Sequence, residues 1–167
     1  MTAIRVLPHP EALAEAAARQ FVEHAQAAID ARGRAAISLS GGSTPREMYR
    51  RLAGPPLIDQ VDWDKVLIFF GDERCVPPDD VGSNFRMAEE TLLKSVPLPK
   101  DQIHRMRGEL PPQEAATDYE RQLQQVYGHE PPRLDIVLLG MGDNGHGRVP
   151  VLWHWTQDDP LLATAVS

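Results

Sequence analysis

The 167-residue chain is long enough for one domain with its own core, and its 42% hydrophobic and 25% charged residues are those of a globular protein, not a fibrous or disordered one. A formal net charge of −7 disfavours nucleic acid or an anionic membrane as the main partner, since both demand a basic face, while a small anion held by a few local arginines stays open. Residues 1–10 lack the apolar core of a signal peptide and no apolar stretch approaches the roughly 20 residues of a membrane helix, so the expected location is cytoplasmic. Cys75 is the only cysteine, which excludes an internal disulfide and a cysteine-rich zinc site, and an isolated thiol reads as a packing residue.

In chain order, a proline near its start, apolar residues at Leu13, Ala17, Phe21, Ala25 and Ile29, and Gly33 as a stop predict an amphipathic helix over residues 10–31. The apolar run 35–39 reads as a buried parallel strand. Thr44 is a natural N-cap and Pro45 a natural first residue for a helix reaching Leu52, closed by Gly54. Trp63 leads into a second apolar strand, 66–70, followed by a loop rich in Pro and Asp. Ser83 caps a helix through Lys94, residues 103–106 read as a short strand, and Pro111 with Pro112 starts a helix ending at Tyr127. A third apolar strand spans 134–139.

Strand and helix alternate, with no internal repeat or low-complexity linker. The expected class is therefore α/β: a mostly parallel, doubly wound, Rossmann-like sheet with helices on both faces, in a single domain over residues 1–167. The order fails near the end. Pro150 breaks any helix opened at Gly145, residues 153–159 have neither period, and 161–166 reads as a strand that stops with the chain, so the domain reads as C-terminally truncated.

Each of the three strands runs into a glycine-punctuated turn, and in a parallel sheet all three turns open at the carboxyl edge, where such proteins bind ligands. In the first, Gly41 and Gly42 permit close backbone approach, while Ser43, Thr44 and the N–H groups of the next helix offer donors to a phosphate or carboxylate. A tight strand-to-helix turn with a capping threonine explains the same residues equally well. The second turn, Gly71-Asp72-Glu73-Arg74, sets two carboxylates and a guanidinium at a strand end: Arg74 suits bidentate contact with phosphate, and Asp72 or Glu73 suits a sugar hydroxyl. Taken alone this tripeptide is better read as a surface ion pair. Asn84 and Arg86 beyond the loop are candidate helpers.

In the third turn His146 follows three glycines at a strand end and titrates near neutrality, as a general base should, and the backbone N–H of Gly142 or Gly145 can stabilise an oxyanion. The remaining histidines show no metal-ligand spacing, so no metal is expected. Gly140, Gly142 and Gly145 also fit the dinucleotide fingerprint, with Asp158 and Asp159 at a suitable distance. Pro150 disrupts the helix that fingerprint needs, which makes a dinucleotide module the minor reading.

Together, Leu39-Ser40-Gly41-Gly42-Ser43-Thr44-Pro45, Gly71-Asp72-Glu73-Arg74 with Ser83-Asn84, and Leu139-Gly140-Met141-Gly142 through Gly145-His146 resemble the 6-phosphogluconolactonase family over residues 1–147. The resemblance implies hydrolysis of 6-phosphogluconolactone, a small sugar phosphate lactone, in the oxidative pentose phosphate pathway, without metal or coenzyme; the sequence does not settle the oligomeric state, for which a monomer is the default expectation. It implies that His146 activates water, that Arg74 contacts the phosphate, and that the Gly-Gly-Ser-Thr turn and Asp72 line the same pocket. The related glucosamine-6-phosphate deaminases share the architecture, but the Gly71–Arg74 turn looks more like the lactonase version.

The chain departs from the family pattern at Asn144, where the family usually carries Asp, and after His146, where Gly147-Arg148-Val149-Pro150-Val151-Leu152 replaces Thr-Ala-Ser-Leu-Phe-Pro. Two readings of the atypical tail over 148–167 stand open, a one-base frameshift near codon 147 restored before Leu161 and a divergent natural tail, and the nucleotide sequence separates them. The family's later Pro- and basic-rich segment, which supplies a further phosphate-binding cation, has no counterpart here. The competing expectation is a catalytically impaired remnant that still binds phosphosugars.

Overall fold

The computed structural model describes residues 6–139, and the third turn and the tail lie outside them. Two of the apolar runs form β1 (Ala35–Leu39) and β2 (Val66–Phe70), and β3 is Ile136–Val137. They pair in the order β2-β1-β3, all parallel, with Ala35 opposite Val66, Leu39 opposite Phe70, and Ile37 and Ser38 opposite Ile136 and Val137. The third strand is shorter than its apolar run. Single backbone bonds from Asp135 N to Ala36 O (2.7 Å) and Leu138 N to Ser38 O (3.0 Å) extend the pairing by one residue at each end. The expected strand at 103–106 is reduced to one bridge between Ile68 and Ile103, because only His104 N reaches β2, at Ile68 O.

Alternation along the strands builds two cores. Ala35, Ile37 and Leu39 of β1 with Val66, Ile68 and Phe70 of β2 pack against α1 (Pro10–Arg32), α2 (Ser43–Leu52) and α3 (Asn84–Ala88). Ala36 and Phe69, on the opposite face, pack against Ala116, Tyr119 and Leu123 of α4 (Pro112–Tyr127). Helices therefore cover both faces, as the alternation of elements predicts. Among the described residues no helix is long and apolar enough to cross a membrane.

Three element readings need correction. The buried stripe of α1 is Ala14, Ala18, Phe21, Val22, Ala25, Ala28 and Ile29, while Leu13 is 42% exposed. A helix this rich in alanine has little hydropathy contrast to set its phase, and small side chains let it lie close to α2 and β1. Thr44 is not the cap of α2: Gly42 is, at φ 118°, so Ser43 is the first helical residue and Pro45 the third. The segment after Ser83 is not one uniform α-helix, since α3 gives way to a π-helical stretch, Glu89–Leu93, closed by Lys94 N on Glu89 O at 3.1 Å.

Candidate functional site

The carboxyl ends of the parallel strands share one edge, and Gly71 N bonds Leu39 O at 2.9 Å, so the first two turns start side by side. At the first, the positive φ of Gly42 turns the chain directly into α2. The helix begins with no side-chain cap and no acidic residue in its first turn, and Ser43 and Thr44 are exposed. By helix geometry the N–H groups of Ser43 and Thr44 have no intrahelical acceptor, and Pro45 has none to offer. The result is two outward N–H donors in the positive end of a helix dipole that no carboxylate of its own first turn offsets.

Buried Tyr49, one turn and a half into α2, fixes this turn from below. Its hydroxyl accepts from Ser40 N (3.1 Å) and donates to Ser40 O (2.9 Å). Burial pushes the phenol well above its ordinary pKa, opposed by these bonds and reinforced by the nearby charge of Asp72, so the hydroxyl stays neutral and able to donate. Tyr119 of α4 does the same for β2, accepting from Phe70 N (3.0 Å) and donating to Phe70 O (2.9 Å). Two tyrosines from opposite layers thus satisfy the backbone of Ser40, just past β1, and of Phe70, the last residue of β2. Neither was singled out in the sequence, where each looks like another apolar-face residue.

The second turn separates its three charged residues. Glu73 points its carboxylate at the start of α3: Oε1 accepts from Arg74 N and Asn84 N, both at 2.7 Å, and Oε2 accepts from Phe85 N (2.8 Å) and Ser83 Oγ (3.1 Å). Ser83 Oγ in turn accepts from Arg86 N at 3.1 Å, the capping role expected of it. Glu73 is therefore committed to the backbone and not available to a sugar hydroxyl. Among the described residues Glu73 makes no ion pair with Arg74 either. Arg74 is exposed and, among the described residues, its guanidinium makes no ion pair. Its backbone is tightly held, since Val76 N bonds its carbonyl at 2.8 Å and a Cβ on Gly108 would overlap that oxygen. Asp72 is half-buried beside it.

Asn84 is 5% exposed, donates from Nδ2 to Asp72 O (3.1 Å), and packs so closely on the first turn that a Cβ on Gly41 would overlap its Oδ1 and lie 2.5 Å from Cγ. Its amide holds the two turns together. Arg86 is also occupied, by Glu90 Oε1 (2.7 Å) and Asp79 O (2.6 Å), and with Arg46 and Arg50 it borders a separate open cavity of about 230 Å³ between α2 and α3. Arg105 stacks over Phe85 and is neutralised by both oxygens of Glu109, whose carboxyl it holds down at about 2. Among the described residues Arg74 thus differs from Arg86 and Arg105 in having no carboxylate partner. His146, Gly142 and Asn144 lie outside the described residues, as does the whole glycine fingerprint after Leu139, but β3 runs toward the same edge as β1 and β2.

These features define an α/β protein with two glycine-containing turns side by side at the carboxyl edge of a parallel sheet. The glucosamine-6-phosphate isomerases/6-phosphogluconolactonase family model matches residues 8–147, and the chain belongs to that family. It is 40% identical over 147 residues to the 6-phosphogluconolactonase of Nostoc sp., covering 86% of this chain and 60% of that protein. Among solved structures it resembles the 6-phosphogluconolactonase of Thermotoga maritima, with TM-score 0.76 and 27% identity over 88% of this chain and 63% of that one. The Trypanosoma brucei 6-phosphogluconolactonase aligns with TM-score 0.74 and 32% identity, over 88% and 62% of the two chains. The chain therefore spans about 60% of the length of these relatives.

Proposed function

We propose that this chain carries the substrate-binding edge of a lactonase that hydrolyses 6-phospho-D-glucono-1,5-lactone to 6-phosphogluconate, in the cytoplasm and as a step of the oxidative pentose phosphate pathway. The observation that carries the reading is the pairing, at adjacent strand ends, of an uncapped helix N-terminus with an exposed arginine that has no carboxylate partner among the described residues. Such an arrangement suits a phosphate dianion: the Ser43 and Thr44 amides take one side of it, with Gly41 and Gly42 leaving room, and Arg74 takes the other. Anchoring the phosphate fixes the lactone carbonyl relative to the third turn.

In this reading water attacks the lactone carbonyl while His146 takes its proton. The Gly142 backbone donor and Asp72 lie around the tetrahedral centre, the former holding the oxyanion. Collapse breaks the ring C–O bond and the proton passes to the departing ring oxygen. The mechanism calls for neither metal nor coenzyme.

The test is lactone hydrolysis measured above the spontaneous rate, alongside calorimetric binding of 6-phosphogluconate. Arg74→Ala should weaken binding by about 1.5–3 kcal/mol, the range for hydrogen bonds between charged groups. His146→Ala should lower the catalysed rate by roughly 10²–10⁴-fold with affinity nearly intact. Binding without hydrolysis would identify a phosphosugar-binding remnant, and absence of both would overturn the assignment.

A further inference from the structure

The second turn and α3 grip each other reciprocally. Glu73 accepts the N–H of Asn84, and Asn84 donates its side-chain amide back to the carbonyl of Asp72, the residue before Glu73. The same Asn84 side chain lies against Gly41 closely enough to leave no room for a Cβ there. Four hydrogen bonds converge on the Glu73 carboxylate, three of them from backbone N–H groups at 74, 84 and 85. We propose that Glu73 and Asn84 are positioning residues: a latch that sets the spacing between the Ser43-Thr44 donors on one turn and Arg74 on the next, and so selects a phosphorylated sugar over its unphosphorylated counterpart.

The latch rests on the phosphosugar reading, and physical chemistry shows why such a device is needed. Arg74 leaves the chain from an exposed loop, and a long cationic side chain contributes to recognition only in proportion to how little freedom it must surrender. Its backbone is pinned on both sides, by Glu73 Oε1 at its N–H and by Val76 N at its carbonyl. A carboxylate is the group for this job because all four of its contacts are donors. A glutamine in its place offers one oxygen and would turn an NH₂ toward two of them. Asn84 cannot be replaced by aspartate on the same terms, because Asp72 O needs a donor.

The experiment uses the full 167-residue chain and calorimetric titration with 6-phosphogluconate and, separately, gluconate. Glu73→Gln and Asn84→Ala should each weaken 6-phosphogluconate about three- to thirtyfold, the usual coupling between residues of one hydrogen-bonded network, and change gluconate binding by less than about twofold. Glu73→Gln added to Arg74→Ala should cost little more than Arg74→Ala alone. Full-sized loss in the Arg74→Ala background, or equal loss for both ligands, would show that Glu73 merely supports the fold. Amide hydrogen exchange on the unliganded variants decides the latch separately from the enzyme assignment. Asn84→Ala should speed exchange at 40–43 as well as at 72–74. Should the parent chain bind no 6-phosphogluconate, the lactonase reading fails, and unchanged exchange at 40–43 would sink the latch on its own.

Discussion

Replacing Tyr49 by phenylalanine keeps the ring that fills the core between α2 and β1 and removes one oxygen. That oxygen accepts from Ser40 N and donates to Ser40 O, in a place where Tyr49 is fully buried and Ser40 only 6% exposed. Water cannot readily replace it, so the variant strands a backbone donor and an acceptor together. At about 1–1.5 kcal/mol for each lost bond, rising where the group left behind stays desolvated, the cost is about 2–4 kcal/mol. For a chain of this length that corresponds to a fall in Tm of roughly 5–12 °C by circular dichroism. Tyr127→Phe is the matched control. Its hydroxyl also donates to a backbone oxygen, Arg133 O at 3.0 Å, but at an exposed site where water substitutes, so its cost should stay below about 1 kcal/mol. Because Ser40 opens the first turn, Tyr49→Phe should also weaken 6-phosphogluconate, while Tyr127→Phe should not. Equal melting points for the two variants would refute the argument that the edge is stapled by buried hydroxyls.

Gly41→Ala should destabilise the chain by about 1–3 kcal/mol, the usual cost of overpacking, because its methyl would overlap the Asn84 amide. Adding Asn84→Ala to it should bring little further loss, since the clash disappears, and chemical denaturation of the double variant checks this. His104 stacks on Phe69 at 4.8 Å, its Nε2 is buried with no hydrogen-bond partner among the described residues, and burial pushes its pKa below the ordinary 6.5, partly opposed by Asp101. The unfolded chain then binds a proton that the folded chain resists, so stability is complete above pH 6.5 and falls as the pH drops below it. His104→Phe, which keeps the stack, should flatten that acid limb in melting curves taken between neutral and mildly acidic pH. Parallel curves for parent and variant would contradict it.

Much of the architecture was legible because apolar runs and proline or glycine punctuation mark elements locally. The bounds of β1 and β2, the start of α4 after two prolines and the left-handed stop at Gly33 all follow from such signals. The alignment of the first two turns at one edge followed from parallel topology. What was not legible depends on partners distant in sequence. Glu73 and Arg74 are neighbours with opposite fates, and only the arrival of α3, ten residues later, decides that the carboxylate turns to the backbone and leaves the arginine without an ion pair among the described residues. Asn84 reads in the sequence as a ligand-binding helper, and nothing near it in the chain shows that it is buried against Gly41. The cap of α2 shifted from Thr44 to Gly42 because a positive φ, available to glycine, starts the helix two residues sooner. Nothing in the sequence marks the π-helical turn after Ala88.

The most direct test of the central claim is a crystal structure of the chain with 6-phosphogluconate bound. The account predicts the phosphate within hydrogen-bonding reach of the Ser43 and Thr44 amides and the Arg74 guanidinium, with the carboxylate end of the sugar toward His146. A phosphate seated instead in the cavity bordered by Arg46, Arg50 and Arg86, or His146 found at the opposite edge of the sheet from Ser43, would contradict it.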